Sequence, residues 1–281
     1  MRTTALACAV VALTLPGLLG TSPATADVQP NLVGGREATG DTSWMVSVQY
    51  DAPAYGRHAR HTCGGALLFR SWVVTGAHCV TDPPGNPGGI PTSAKTFTVR
   101  VGSKDRTRGG ETAKVVKVAV HPGWKWAAGA PAQAVNDVAL LKLDRPVSAQ
   151  PIQLAAHAAR PGKRVRLYGW GADQPDGDPT HLPVKLQQLD TTVLPPADCA
   201  DADQSAGEIC TDNPHDTDGP GAGDSGSPAV VMVRGVPRLV GTCSRAAAQF
   251  PGVRPTVYTS APDFRQWLYD TARGTPSAVA G

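Results

Sequence analysis

This 281-residue chain predicts an all-β fold with frequent turns. Three observations carry that expectation. Gly (31) and Pro (26) are abundant, and both mark places where a chain reverses direction. The apolar residues fall in short runs rich in Val, Leu and Thr, of strand length and bounded by those turn residues. Aromatic residues make up only 5%, so these aliphatic runs dominate the apolar content.

Taken in chain order, the first element is a leader. Arg2, the apolar run from Ala5 to Leu19 and the small residues ending at Ala26 read as a secretory signal peptide over residues 1–26. Pro16 and Gly17 break the run, and no later segment approaches the roughly eighteen uninterrupted apolar residues of a membrane span. The mature protein is therefore expected to be soluble and secreted. Its roughly 250 residues suffice for one large or two small domains. A net charge of +3, with Lys and Arg scattered, argues against nucleic acid or an anionic membrane as partner.

Next, a strand-like run from Trp72 to Thr75 ends in Gly76 and delivers His78 beside Cys79. A histidine held at a strand end suits proton transfer near neutral pH, although a lone histidine is more often a core residue bonded to backbone. His58, His61, His121, His157, His181 and His215 lie in or near turn-rich segments and read as structural. In AVNDVALLKL, Asp137 precedes a buried-strand pattern over 138–143. A carboxylate entering the core costs free energy unless partnered, and a turn or N-cap role is the alternative.

GPGAGDSGSPAVV, residues 219–231, sets Asp224 and Ser225 among glycines. That composition marks a tight bend or a close backbone approach, whether a nucleophile turn or a surface loop. Finally, residues 263–272 read as a helix. Pro262 precedes it, Phe264, Trp267 and Leu268 share a face, and Gly274 follows. Beyond the leader there are five cysteines: Cys63, Cys79, Cys199, Cys210 and Cys243. In an oxidising compartment four can pair, in three ways for any chosen four, and spacing alone does not choose.

Together these pieces resemble the chymotrypsin-like (trypsin-fold) secreted serine proteases, bacterial members among them. LVGGREA, CGGALL, TGAHC, NDVALLKL, YGWG, GDSGSP, GTCS and PTVYTSAPDFRQWL occur in the family's order between Leu32 and Leu268. The resemblance implies two six-stranded antiparallel β-barrels and a C-terminal helix. Barrel one would span about 32–145, barrel two about 146–260 and the helix about 263–273, inside a protease domain of 32–273 with a tail at 274–281. The Pro- and Ala-rich stretch 145–165 suits the crossover between barrels.

The resemblance also assigns roles. Ser225 is the expected nucleophile, His78 its general base and acid, and Asp137 the residue orienting His78. The amides of Gly223 and Ser225 are the expected oxyanion hole. A short propeptide, residues 27–31, would be removed so that the new ammonium of Leu32 pairs with Asp224. Cys63 would bridge Cys79 and Cys199 bridge Cys210, leaving Cys243 as the odd thiol. Two family disulfides are absent: Val165 and Val231 hold the positions of one, and Gly221 stands in place of the other. An apolar contact is expected where Val165 and Val231 meet.

The substrate-pairing strand is expected at Ser244, Arg245 and Ala246, with Ser244 supporting Asp137 and Arg245 standing where an aromatic is usual. Counting back six residues from Ser225 puts Gly219 at the pocket floor, and Thr256 falls on its back wall. Small to medium apolar residues before the scissile bond are then favoured. The competing expectation is a one-residue slip that brings Asp218 into the pocket to select Lys or Arg. The carboxylates near Glu111 are too few for a calcium loop, so neither metal nor cofactor is expected. The implied partners are protein or peptide substrates and an activating protease, and the chain is expected to be a monomer. A non-catalytic binding protein on the same fold would have lost a triad member or the oxyanion glycine, and this chain keeps them all. An esterase-like hydrolase using the same nucleophile is the third reading.

Overall fold

The computed structural model describes residues 32–85, 88–126, 136–174, 178, 182–202, 204–246 and 252–274. The expected leader, propeptide and tail, and His181, lie outside these residues.

The first barrel is a closed antiparallel sheet of β2 (Met45–Ala52), β3 (Arg57–Phe69), β4 (Trp72–Thr75), β5 (Thr96–Val101), β6 (Glu111–Val120) and β7 (Ala139–Leu143). Its strands follow the order β2-β3-β4-β7-β6-β5, and β5 pairs back to β2. Alternation is clearest in β5, where Phe97, Val99 and Val101 are buried between more exposed Thr and Arg residues. Met45, Val48, Leu67, Val73, Val99, Leu140 and Leu141 fill the interior. The predicted strand at Trp72–Thr75 is β4, buried along its length.

The second barrel is formed by β9 (Arg164–Gly169), β10 (Gln187–Leu194), β11 (Glu208–Thr211), β12 (Pro228–Val233), β13 (Val236–Ala246) and β14 (Thr256–Ser260). It closes through the pairing of β9 with β10. Two short strands add to its sheet: β1 (Arg36–Glu37) pairs with β10, and β8 (Gln153–Leu154) pairs with β13 in parallel. The first strand among the described residues thus joins the second barrel, across the boundary suggested by the sequence. Val165 and Val231 are both buried in this barrel's core, with Leu167, Val240, Cys243 and Tyr258. Their strands are neighbours, and both positions fall within this one apolar core.

The helix α1 runs Arg265–Arg273, two residues shorter at its start than predicted, because Asp263 is still in the turn where its N–H bonds Ser260 O. Leu268 and Trp267 are its buried residues, and Gly274 ends it in the left-handed conformation.

The structural reading of His61 holds, but it and His58 sit in a strand. His58 and His61 lie within β3, and His61 is only 3% exposed. The long, twisted β3 carries polar residues that read as a turn-rich stretch in the sequence.

Candidate active site

The site forms where the ends of β3, β4 and β7 meet the loop before β12 and the end of β13. His78 sits on a single 3-10 turn, Ala77–Cys79, directly after β4, and the Cys63–Cys79 disulfide ties that turn to β3. Asp137, fully buried, lies at the entry to β7. The preceding Asn136 adopts the left-handed conformation (φ 56°), and its side-chain amide donates to Gly123 O at 2.9 Å, which fixes the approach of the chain to Asp137.

Asp137 is saturated with donors. His78 Nδ1–H donates to Oδ2 at 2.6 Å, the His78 backbone N–H to Oδ1 at 2.9 Å, and Ser244 Oγ–H to Oδ2 at 2.7 Å. Burial alone would lower the His78 pKa, but the charge of Asp137 and its hydrogen bond outweigh it, and the pKa is raised above 6.5. For Asp137, burial pushes the other way, and the His78 charge with the three bonds holds its pKa below the usual carboxylate range. With Nδ1 committed to Asp137, Nε2 is the basic nitrogen of His78. His78 and Ser225 line one open cleft of about 290 Å³, together with Cys63, Cys79 and Lys95.

Backbone contacts hold Ser225. Its carbonyl accepts from Gly64 N–H at 2.8 Å, and the next residue, Gly226, donates to Cys243 O at 2.7 Å. A side chain at Gly226 would collide with Thr75 Oγ1, and its φ of +70° also favours glycine. Gly223 has φ +99°, and its carbonyl is turned toward His61 Nε2–H at 3.1 Å. Among the described residues, no acceptor takes the N–H of Gly223 or of Ser225. Two amides flanking a candidate nucleophile without acceptors are what a developing oxyanion requires.

His61 is the residue that sequence reasoning passed over. Its Nε2–H supports Gly223, Ser47 Oγ bonds its Nδ1 at 2.8 Å, and Gln49 Nε2 donates to Ser47 Oγ at 3.0 Å. Burial lowers its pKa to about 4, against the partial opposition of the Gly223 bond, so it is neutral at pH 7. The signal was its place two residues before Cys63, on the inward-facing alternation of the strand. Trp124 and Trp126 were also missed. Both donate through Nε1 to Thr81 Oγ1 at 3.1 Å, and Trp126 meets the His78 ring edge-on at 6.3 Å between centroids.

Asp224 is fully buried behind Ser225. Its oxygens accept the Gly171 N–H at 2.7 Å and the Gly221 N–H at 2.9 Å, and burial nonetheless pushes its pKa up to about 7. Leu32 is buried in the second core, and Gly219 N–H donates to Val33 O at 2.9 Å, so the LVGG segment is docked against the loop that carries Gly219. Gly219 and Thr256 are both buried. A side chain on Gly219 would come within 3.1 Å of Gly252 Cα and 4.0 Å of Thr256 Oγ1, and Ala246 is the register partner of Thr256.

Asp218, the competing candidate, is engaged with other partners. Its carboxylate accepts from His215 Nδ1 at 2.8 Å and Thr217 Oγ1 at 3.0 Å, and it fills the space that a side chain on Gly34 would occupy. The Asp218 carboxylate thus faces the LVGG segment. Arg245 is likewise engaged elsewhere, in a bidentate pair with Glu208. The two disulfides, Cys63–Cys79 and Cys199–Cys210, match the expected pairing, and Cys243 is a buried free thiol whose pKa burial drives upward.

The comparisons agree with this geometry. The family model described as Trypsin matches residues 32–268. Kallikrein 1-related peptidase b16 of Mus musculus is 30% identical, with 93% of this chain and 95% of the relative aligned. Chymotrypsin-like elastase family member 1 of Macaca fascicularis is 30% identical over 87% of this chain and 91% of its own. Among solved structures, neuropsin, a serine protease expressed in the limbic system of mouse brain, superposes with a TM-score of 0.67 at 22% identity, covering 85% of this chain and 98% of its own. These relatives are mammalian, so the resemblance to bacterial members is not carried by them.

Proposed function

From the premise that this chain belongs to the trypsin family of serine proteases, we propose that it is a secreted endopeptidase that cleaves peptide bonds through an acyl-enzyme on Ser225. The observation that carries this reading is the buried Asp137–His78 bond of 2.6 Å, beside a cleft shared by His78 and Ser225. Asp137 fixes the tautomer in which Nε2 is free to accept the Ser225 proton, and its charge stabilises the imidazolium that results. The Ser225 oxygen then attacks the carbonyl carbon, and the N–H groups of Gly223 and Ser225 receive the oxyanion. His78 returns the proton to the leaving amine, and a water repeats the sequence to release the acid. No metal or cofactor takes part in this scheme.

Maturation belongs to the same reading. In the unprocessed chain the nitrogen of Leu32 is a peptide N–H and carries no charge, while Asp224 is a buried carboxylate held only by amides. Cleavage after Asn31 would supply an ammonium able to pair with it, and a buried charge without its partner is strongly destabilising. For primary specificity, Gly219, Thr256 and Ala246 support a shallow neutral pocket that takes small to medium apolar residues. One of the two curated relatives is itself named an elastase. Among the described residues no helix is long and apolar enough to cross a membrane, which accords with secretion.

The test is covalent labelling by a fluorophosphonate probe combined with digestion of an unfolded protein substrate. The processed chain is expected to be labelled and to digest. Ser225→Ala is expected to abolish labelling and to lower kcat by roughly 10^4-fold or more. Labelling that survives this substitution, or labelling without protein digestion, would sink the reading.

A further inference from the structure

The cleft of about 290 Å³ that holds His78 and Ser225 is asymmetric. Apart from Ser225, its lining belongs to the first barrel and its loops: Thr62 and Cys63 of β3, the His78 turn, and loop residues that include Asp82 and Lys95. Gly219, Ser244, Ala246 and Thr256, where the acyl side of a substrate is proposed to sit, belong to the second barrel and its loops, and none of them lines it. On that reading the amine departs toward the first barrel, and this cleft receives the residues that follow the scissile bond.

Lys95 is the one lysine or arginine among the described lining residues. It directly precedes β5, which pairs with β2 so that Phe97 is the register partner of Tyr50, and its ammonium lies 5.0 Å from the centre of the Tyr50 ring. The 3-10 turn Thr92–Ala94 ends on it, with the Lys95 N–H donating to Thr92 O at 3.0 Å. Asp82 fixes the start of that turn: its oxygens accept the Thr92 N–H at 2.9 and 3.1 Å and the Thr92 hydroxyl at 2.9 Å. The one carboxylate of the lining is thus turned to Thr92, and among the described residues no acid forms an ion pair with Lys95.

An aromatic face attracts a cation without cancelling its charge, and it leaves the N–H donors on the far side to other partners. Lys95 is half-buried, and this lowers its pKa against the opposing charge of Asp82. An ammonium short of water gains more from a new countercharge than a fully hydrated one does.

We infer that Lys95 makes the leaving-group side of the cleft select an acidic residue, Asp or Glu, at the first or second position after the scissile bond. This rests on the peptidase reading above. A substrate carboxylate there meets an ammonium already held by the Tyr50 ring and the Thr92 turn, whereas a substrate Lys or Arg meets a like charge.

The experiment uses processed enzyme and peptides with one fixed sequence up to the scissile bond. The first and then the second residue after it is varied among Ala, Gln, Glu and Lys. Rates are expressed per active site titrated by fluorophosphonate. At low salt the unaltered enzyme is expected to favour Glu over Gln by roughly threefold or more in kcat/KM at one of the two positions, with Lys last. That preference should shrink toward unity at about 1 M salt, where the Debye length is about 3 Å. Lys95→Met is expected to bring the Glu-to-Gln ratio below about twofold, Lys95→Arg to keep the preference, and Lys95→Glu to reverse the order so that Lys leads. A ratio below roughly threefold in the unaltered enzyme, or a preference that survives in Lys95→Met, would overturn the inference. Should Lys95→Met fail to fold, an unreversed order in Lys95→Glu overturns it equally. Absence of any titratable site, or titrated enzyme that cleaves none of the peptides, would count against the peptidase reading instead.

Discussion

Asp137 and Asp224 are both fully buried, and the two barrels treat them in opposite ways. Asp137 lies at the entry to β7 of the first barrel, bonded to the His78 ring, the His78 backbone and Ser244 of the second barrel, and its pKa is lowered. Asp224 lies in the second barrel's loop with two amides and no cation among the described residues, and its pKa rises to about 7. Burial raises both, so the difference is made by the partner. On the proposed reading, the base and its acid would be complete before processing, while the nucleophile side would still hold a carboxylate lacking its positive charge.

The largest effect expected of this difference comes from removing the charge on the completed side. Asp137→Asn keeps the size of the side chain but presents an amide to a ring that must be held with its proton on Nδ1. We expect kcat to fall roughly 10^4-fold, about 5.5 kcal/mol of barrier, with the thermal midpoint measured alongside to show that the fold persists. A loss of less than about tenfold would mean that Asp137 is only a structural anchor, and the comparison would break.

On the incomplete side, Asp224→Asn should help the unprocessed chain and harm the processed one. The folded pKa of Asp224 is raised, so its relative stability is fully present below the unfolded value near 3.8 and lost as pH rises through about 7. That difference of about three units corresponds to a penalty of up to about 4 kcal/mol at pH 8. Denaturant unfolding at pH 8 should therefore find unprocessed Asp224→Asn more stable than the unprocessed parent, with the gain vanishing at pH 4. In the processed chain the same substitution removes the partner of the Leu32 ammonium, and activity should be lost. Equal effects in both forms would show that the ammonium does not reach Asp224.

Much of this was legible in the sequence, unevenly and for physical reasons. Strands such as Trp72–Thr75 declare themselves because a buried strand is a short apolar run between turn residues. His78, Asp137 and Ser225 were singled out through the motifs around them, and the structure bonds Asp137 to His78 and puts His78 and Ser225 on one cleft. His61 was not, because a strand with a mixed polar pattern resembles a loop until its neighbours are known. The engagement of Arg245 was hidden for a related reason. Its partner Glu208 lies 37 residues away on another strand, and nothing local marks a carboxylate as buried.

A smaller effect separates the two histidines as pH falls. The folded pKa of His61 is depressed to about 4, so the unfolded chain binds its proton first, and stability is lost between about pH 6.5 and 4. About two and a half units correspond to about 3 kcal/mol. His78 behaves oppositely: its raised pKa contributes stability that is present below 6.5 and lost as pH rises through its folded value. Acid should therefore loosen the Gly223 segment before the His78 turn. Hydrogen exchange at pH 4.5 should show residues 222–227 losing protection while 76–80 keep theirs, and simultaneous loss would remove the distinction.

The smallest effect concerns the proposed pocket, where the second barrel would set preference without charge. Thr256 is buried, its Oγ1 lies 4.0 Å from where a side chain on Gly219 would begin, and Ala246 is its register partner, so on the proposed reading Thr256 would limit depth. Thr256→Gly removes that wall and should raise kcat/KM for Leu and Phe relative to Ala before the scissile bond, by about 1 to 3 kcal/mol, or roughly 10- to 200-fold. Asp218→Asn is the matched control, because that carboxylate faces His215, Thr217 and Gly34. It should leave the order of preference among Ala, Val, Leu, Phe, Lys and Arg unchanged. Dominant cleavage after Lys or Arg that disappears with Asp218→Asn would mean that the pocket loop rearranges on binding substrate and that Asp218, not Thr256, decides specificity.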